Sequence, residues 1–99
     1  MLEFITRKSF EKGVFKNYKK KCELLHITPT SKSDFFALLK TLRNCLEYLK
    51  KEKNQPAPYA AADIDGTFDM YAELTKNDNF VVNIWTKDQT QILLNGDKI

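Results

Sequence analysis

Between residues 33 and 53 the apolar side chains recur at Phe35, Leu38, Leu39, Leu42, Cys45, Leu46 and Leu49, in steps of three and four. That period places them on one face of a helix of about five to six turns. Ser33 stands where an N-cap belongs, and Asp34 adds negative charge at the positive end of the helix dipole. Lys50, Lys51 and Lys53 gather at the negative end, and Asn54 with Pro56 and Pro58 stops the helix. Upstream, Phe10, Val14, Tyr18 and Cys22 fall four apart with Phe15 beside them, which predicts a helix over residues 9–25 capped by Ser9. Residues 2–6 alternate weakly and predict a short first strand.

After Asn54 the period changes to two. Phe68, Met70, Ala72 and Leu74 alternate with Asp69, Tyr71 and Glu73, the pattern of a half-buried strand. Residues 80–85 and 90–94 are β-branched, aromatic or aliphatic, and polar clusters at 75–79 and 86–89 separate the runs. Three short strands joined by four or five residues predict an antiparallel meander. The expected class is α+β: a short N-terminal strand, then two helices packed on one face of an antiparallel β-meander, as a single domain over residues 1–99.

Composition changes this picture little, and charge changes it more. The chain is 42% hydrophobic and 29% charged, as for an ordinary soluble domain with one modest core. No apolar run approaches the ~20 residues of a membrane span, and no secretory leader is legible at the N-terminus. Cys22 and Cys45 both fall on presumed helix faces, where buried, reduced thiols and a cytoplasmic protein are expected. The net charge of +3 is unevenly spread: residues 1–21 carry +5, residues 22–53 carry +2 and residues 54–99 carry −4. A basic front and an acidic back suit a surface that meets a polyanion or docks a charged partner.

Two constellations follow from that split. Lys16, Lys19, Lys20 and Lys21, interleaved with Tyr18, form a candidate polyanion-binding row able to contact phosphates and to stack. Asp63, Asp65, Asp69, Glu73 and Asp78 form a candidate acidic face for a basic protein partner. Asp63, Asp65 and Asp69 miss the spacing of a calcium loop, and His26 has no histidine or paired cysteines near it, so the sequence implies no metal and no cofactor. The stretch Asp63–Ile64–Asp65–Gly66–Thr67 resembles the first motif of haloacid-dehalogenase-type phosphatases, in which the first aspartate is a nucleophile and the second a general acid. Read locally, the same five residues are a turn.

Over most of its length the chain also resembles the RelE/YafQ-type toxins of bacterial toxin–antitoxin pairs. The resemblance is carried by Met1–Leu2–Glu3–Phe4 with Arg7–Lys8–Ser9–Phe10, by Pro56–Ala57–Pro58–Tyr59, by Asp65–Gly66–Thr67–Phe68 with Tyr71–Ala72–Glu73, and by residues 79–85 with Ile92–Leu93–Leu94. It implies the same α+β fold and an action on RNA or the ribosome. The departures are specific: Ala72 stands where that family carries a strand arginine, and no histidine or arginine follows Arg43. RNA cleavage needs a base for the 2′-hydroxyl and cations for the phosphate, and this half of the chain offers acids with only three lysines. The expected function is therefore a non-enzymatic binding protein of a bacterial or phage conflict system, of the immunity, antitoxin or inhibitor type. Its partner would be a basic toxin or nuclease; the alternative is a RelE/YafQ-like toxin with a degenerate site.

Overall fold

In the computed structural model, residues 7–94 and 97–98 are described, and the strand expected over residues 2–6 lies outside them. Helix α1 (Arg7–Leu24) and helix α2 (Lys32–Glu52) come first. Five strands follow: β1 (Tyr59–Ile64), β2 (Phe68–Leu74), β3 (Phe80–Thr86), β4 (Gln91–Leu94) and β5 (Asp97–Lys98). They form one antiparallel sheet in sequence order, β1 to β5. Both helices cover one face of it, α2 over β1 and β2 and α1 toward β4 and β5. The α+β meander with its helices on one side is as the sequence predicts.

The core lies where the two periods meet. Val14, Tyr18 and Cys22 of α1 and Phe35, Leu39, Leu42 and Leu46 of α2 are buried against Ile64, Phe68, Met70, Ala72, Val82 and Ile84 of the sheet. At its centre the Tyr18 ring stacks on Phe35 at 4.7 Å and meets Phe68 edge-on at 5.8 Å. The Tyr18 hydroxyl accepts the Thr30 backbone N–H at 2.9 Å, so the one polar atom of this cluster fixes the connection between the helices. Burial pushes the Tyr18 pKa up to about 12, and it also raises the Cys22 thiol.

Several local expectations are corrected. The cap of α2 is Ser31, whose hydroxyl accepts the Asp34 N–H at 3.2 Å; Ser33 is already inside the helix. Helix α1 is running by Arg7, so Ser9 is not its cap. Cys45 is exposed, since it stands roughly 80° around the helix from the centre of the buried stripe. Strand β1 was not legible as a strand because Tyr59–Ala60–Ala61–Ala62 has low β-propensity. Its inward residues Ala60 and Ala62 are small, which lets α2 lie close over this edge. Beyond the expected meander, Asp97 pairs with Leu94 in the two-residue strand β5.

Asn54 and His26 end the two helices in the same way. Each has a positive φ, 56° and 57°, and the chain beyond folds back onto the last carbonyls, Gln55 N–H to Leu49 at 3.1 Å and Ile27 N–H to Cys22 at 2.8 Å. The lone histidine is thus an exposed helix terminator.

Candidate functional site

Register places the acidic residues. On the outer face of the sheet, away from the helices, three cross-strand rows run Tyr59–Glu73–Val81, Ala61–Tyr71–Asn83 and Asp63–Asp69–Trp85. No described element covers this face. The Tyr71 and Trp85 rings meet edge-to-face at 6.3 Å near its middle, and Asn83 accepts a hydrogen bond from the Gln91 amide at 2.8 Å beside them.

Asp63 and Asp69 stand directly opposite one another, a pairing of like charges that costs stability by itself. The ammonium of Lys87, from the turn after β3, bridges them: it donates to Asp63 and, at 2.7 Å, to Asp69. This hydrogen bond, with a second from the Gly66 N–H at 2.7 Å, holds the Asp63 carboxyl below its usual range. Asp63 foremost, with Asp69, in turn raises Lys87. The ammonium thus offsets the repulsion between the two facing carboxylates. Among the described residues, no three His, Cys, Asp or Glu side chains gather closely enough to hold a metal ion.

Asp65 and Gly66 are the first two of the three residues that join β1 to β2, with φ of 50° and 70° and the Thr67 N–H bonded to the Ile64 carbonyl at 2.9 Å. These are the dihedral signs of a type I′ hairpin, for which Asp-Gly is a preferred pair. The Asp63–Thr67 stretch is thus a hairpin turn with its first aspartate engaged in backbone and ion-pair contacts.

Asp78 is placed elsewhere, in the turn between β2 and β3 at the opposite end of β2. Lys50 reaches it from α2, at 2.6 Å, and also donates to the Thr75 carbonyl at 2.8 Å. The five acids foreseen as one face are therefore divided. Asp63, Asp65, Asp69 and Glu73 share the outer face and its first turn, and Asp78 anchors a helix to a loop.

The lysine row also divides. Lys16, Lys19 and Lys20 line a groove of about 510 Å³ on the solvent side of α1, with Lys12 and Phe15. Lys32, the first residue of α2, and Glu23 complete its wall. Lys21 does not line it. Tyr18, expected to stack on a ligand, is fully buried and faces the core instead. The groove's aromatic is Phe15, whose ring packs against Phe35 at 5.2 Å and Phe36 at 5.8 Å and carries the Lys19 ammonium at 5.7 Å from its centroid. Lys12 and Lys32 escaped the sequence reading because one precedes the row and the other belongs to the next helix. Only the packing of α2 beside α1 brings them together.

No helix among the described residues is long and apolar enough to cross a membrane. No family model matches the chain, and comparisons with curated proteins and with solved structures yield no match.

Proposed function

We propose that the chain is a small non-enzymatic binding protein that docks a basic partner protein through the outer face of its sheet. Its type would be that of an immunity, antitoxin or inhibitor protein of a bacterial or phage conflict system, the setting that the RelE/YafQ resemblance supplies. The observation that carries the reading is the Tyr71–Trp85 pair, lying on a sheet face that no described element covers, among Asp63, Asp65, Asp69 and Glu73 and beside Lys87. Tyr and Trp are the residue types that concentrate binding energy at interfaces, because they bury large area at little entropic cost. The surrounding carboxylates would steer a basic partner into register and speed its association at low salt. They would repel RNA, whose phosphates meet four carboxylates here against one ammonium among the described residues.

The reading is tested by inducing the protein alone in bacteria and by affinity capture with the purified chain. Colonies are expected to grow unimpeded. The immobilised protein is expected to retain a basic protein in a salt-sensitive manner, and the double variant Tyr71→Ala, Glu73→Lys, checked for folding by circular dichroism, to lose it. Equal retention by the variant would sink the proposal. Growth arrest relieved by the same substitutions would replace it with the RelE/YafQ-like toxin alternative.

A further inference from the structure

We propose that the groove between α1 and the start of α2 binds a compact small anion carrying several phosphates, of the class of polyphosphorylated nucleosides and inositol phosphates. The site is independent of the sheet face and of any partner docked there.

Around the sheet two lysines are held by carboxylates: Lys87 by Asp63 and Asp69, and Lys50 by Asp78. In the groove the balance is reversed. Among the described residues, Lys12, Lys16, Lys19, Lys20 and Lys32 face one acid, Glu23, and none of the five forms an ion pair. Lys12, Lys16 and Lys20 are spaced four apart on α1, so their like charges lie on neighbouring turns and weaken the helix. Lys32 adds a further ammonium from the opposite wall. An anion entering the groove relieves this repulsion, and each further phosphate on the same ligand does so without a further cost in translational freedom.

The size and lining decide between a small ligand and a nucleic-acid strand. From Lys12 to Lys20 the groove lysines of α1 are eight helical steps apart, about 12 Å along the helix, and the groove's ~510 Å³ lies within the range of small-molecule sites. Glu23 stands at the C-terminal end of the row, and Lys21, which would prolong it, lies off the groove. Single-stranded nucleic acid is held by bases stacked on exposed aromatic faces as well as by cations. Phe15 is committed to Phe35, Phe36 and the Lys19 ammonium, and Tyr18 is buried, so the groove offers cations without a stacking platform.

The test is calorimetric titration of the intact protein with inositol hexakisphosphate, ATP, tripolyphosphate, sulfate and a twelve-nucleotide oligothymidylate. The expected result is saturable binding of inositol hexakisphosphate at least tenfold tighter than sulfate, weakened at least tenfold by Lys16→Glu. The control Lys51→Gln, at the far end of α2, is expected to leave affinity unchanged. Lys32→Gln provides a second variant, on another element, that weakens binding if the groove is the site. Inositol hexakisphosphate binding no tighter than sulfate, or binding unaffected by Lys16→Glu and Lys32→Gln in folded protein, overturns the proposal. Oligothymidylate binding tighter than every small phosphate would overturn it in favour of a nucleic-acid site.

Discussion

Tyr18 joins the helices to the sheet through one ring and one hydroxyl, and both contributions can be separated. Replacing it with phenylalanine keeps the stacking on Phe35 but leaves the Thr30 N–H, itself buried, without its acceptor. A loss of about 1–3 kcal/mol in a denaturant melt is expected, and a loss below ~0.5 kcal/mol would mean that water replaces the hydroxyl. The raised pKa gives the same residue a pH signature. A phenol that ionises near 10 when unfolded and near 12 when folded favours the unfolded state only as pH climbs between those values. The stability it contributes is complete below pH 10 and declines by roughly 2–3 kcal/mol by pH 12. The stability difference between wild type and Tyr18→Phe, followed across that window, isolates the effect of this one phenol. Lys87 supplies the acidic counterpart. Lys87→Met is expected to lower the melting temperature at neutral pH, where Asp63 and Asp69 face each other ionised. Because the Asp63 pKa is depressed in the folded protein, the deficit should fade as pH falls through the carboxylate range. A deficit that persists at pH 2 would assign the lysine a packing role.

At the scale of elements, the two later turns of the sheet are copies of one device. In residues 75–79 and 86–90 a threonine opens the turn, its N–H bonds the carbonyl four residues on at 3.0 and 2.9 Å, and its Oγ1 accepts the N–H of that same residue at 3.1 and 3.0 Å. The fourth residue is left-handed in each, Asp78 at φ 63° and Gln89 at φ 70°. A non-glycine residue pays a steric cost there, so Gln89→Gly is expected to raise stability by about 0.5–1 kcal/mol. Asp78→Gly relieves the same strain but breaks the ion pair to Lys50, and no gain is expected. Paired thermal melts decide it, and a gain in both variants would show the Lys50 contact to be worth little. These turns were legible as polar clusters because Thr, Asn and Asp bond their own backbone. Strands β2 to β4 were legible because each alternates or is β-rich. Strand β1 was not, since alanine carries no strand signal, and its position follows from the Asp65–Gly66 hairpin turn pulling residues 59–64 back along β2. The α2 cap is Ser31 and not Ser33, a choice between two serines two residues apart that local sequence does not separate; next to the cap, the Thr30 N–H is held by the Tyr18 hydroxyl.

Across the whole molecule the uneven charge of the sequence becomes a separation in space. The acidic half of the chain folds into the sheet and shows Asp63, Asp69 and Glu73 on its outer face, while the basic front becomes the solvent side of α1. What sequence could not divide was each charged group's use. Lys50, Lys87 and Asp78 are consumed in holding elements together, and only cross-strand register and helix packing reveal that. The two candidate surfaces are separated by the helix layer, about 10 Å thick, and the sheet itself. That distance exceeds the Debye length of ~8 Å at physiological ionic strength, so their fields barely interact. Charge reversal on one side should therefore leave the other unchanged. Glu73→Lys is expected to alter the affinity for inositol hexakisphosphate less than twofold at 0.15 M salt, and Lys16→Glu to alter capture of a basic partner equally little. The stability changes of the two variants should add within ~0.5 kcal/mol in the double variant, as distant sites do. At ~0.01 M salt the Debye length grows to ~30 Å, and each reversal should then shift the other surface's affinity measurably. Coupling that survives at 0.15 M would mean that the helix layer transmits a conformational change, and the two surfaces would then have to be treated as one site.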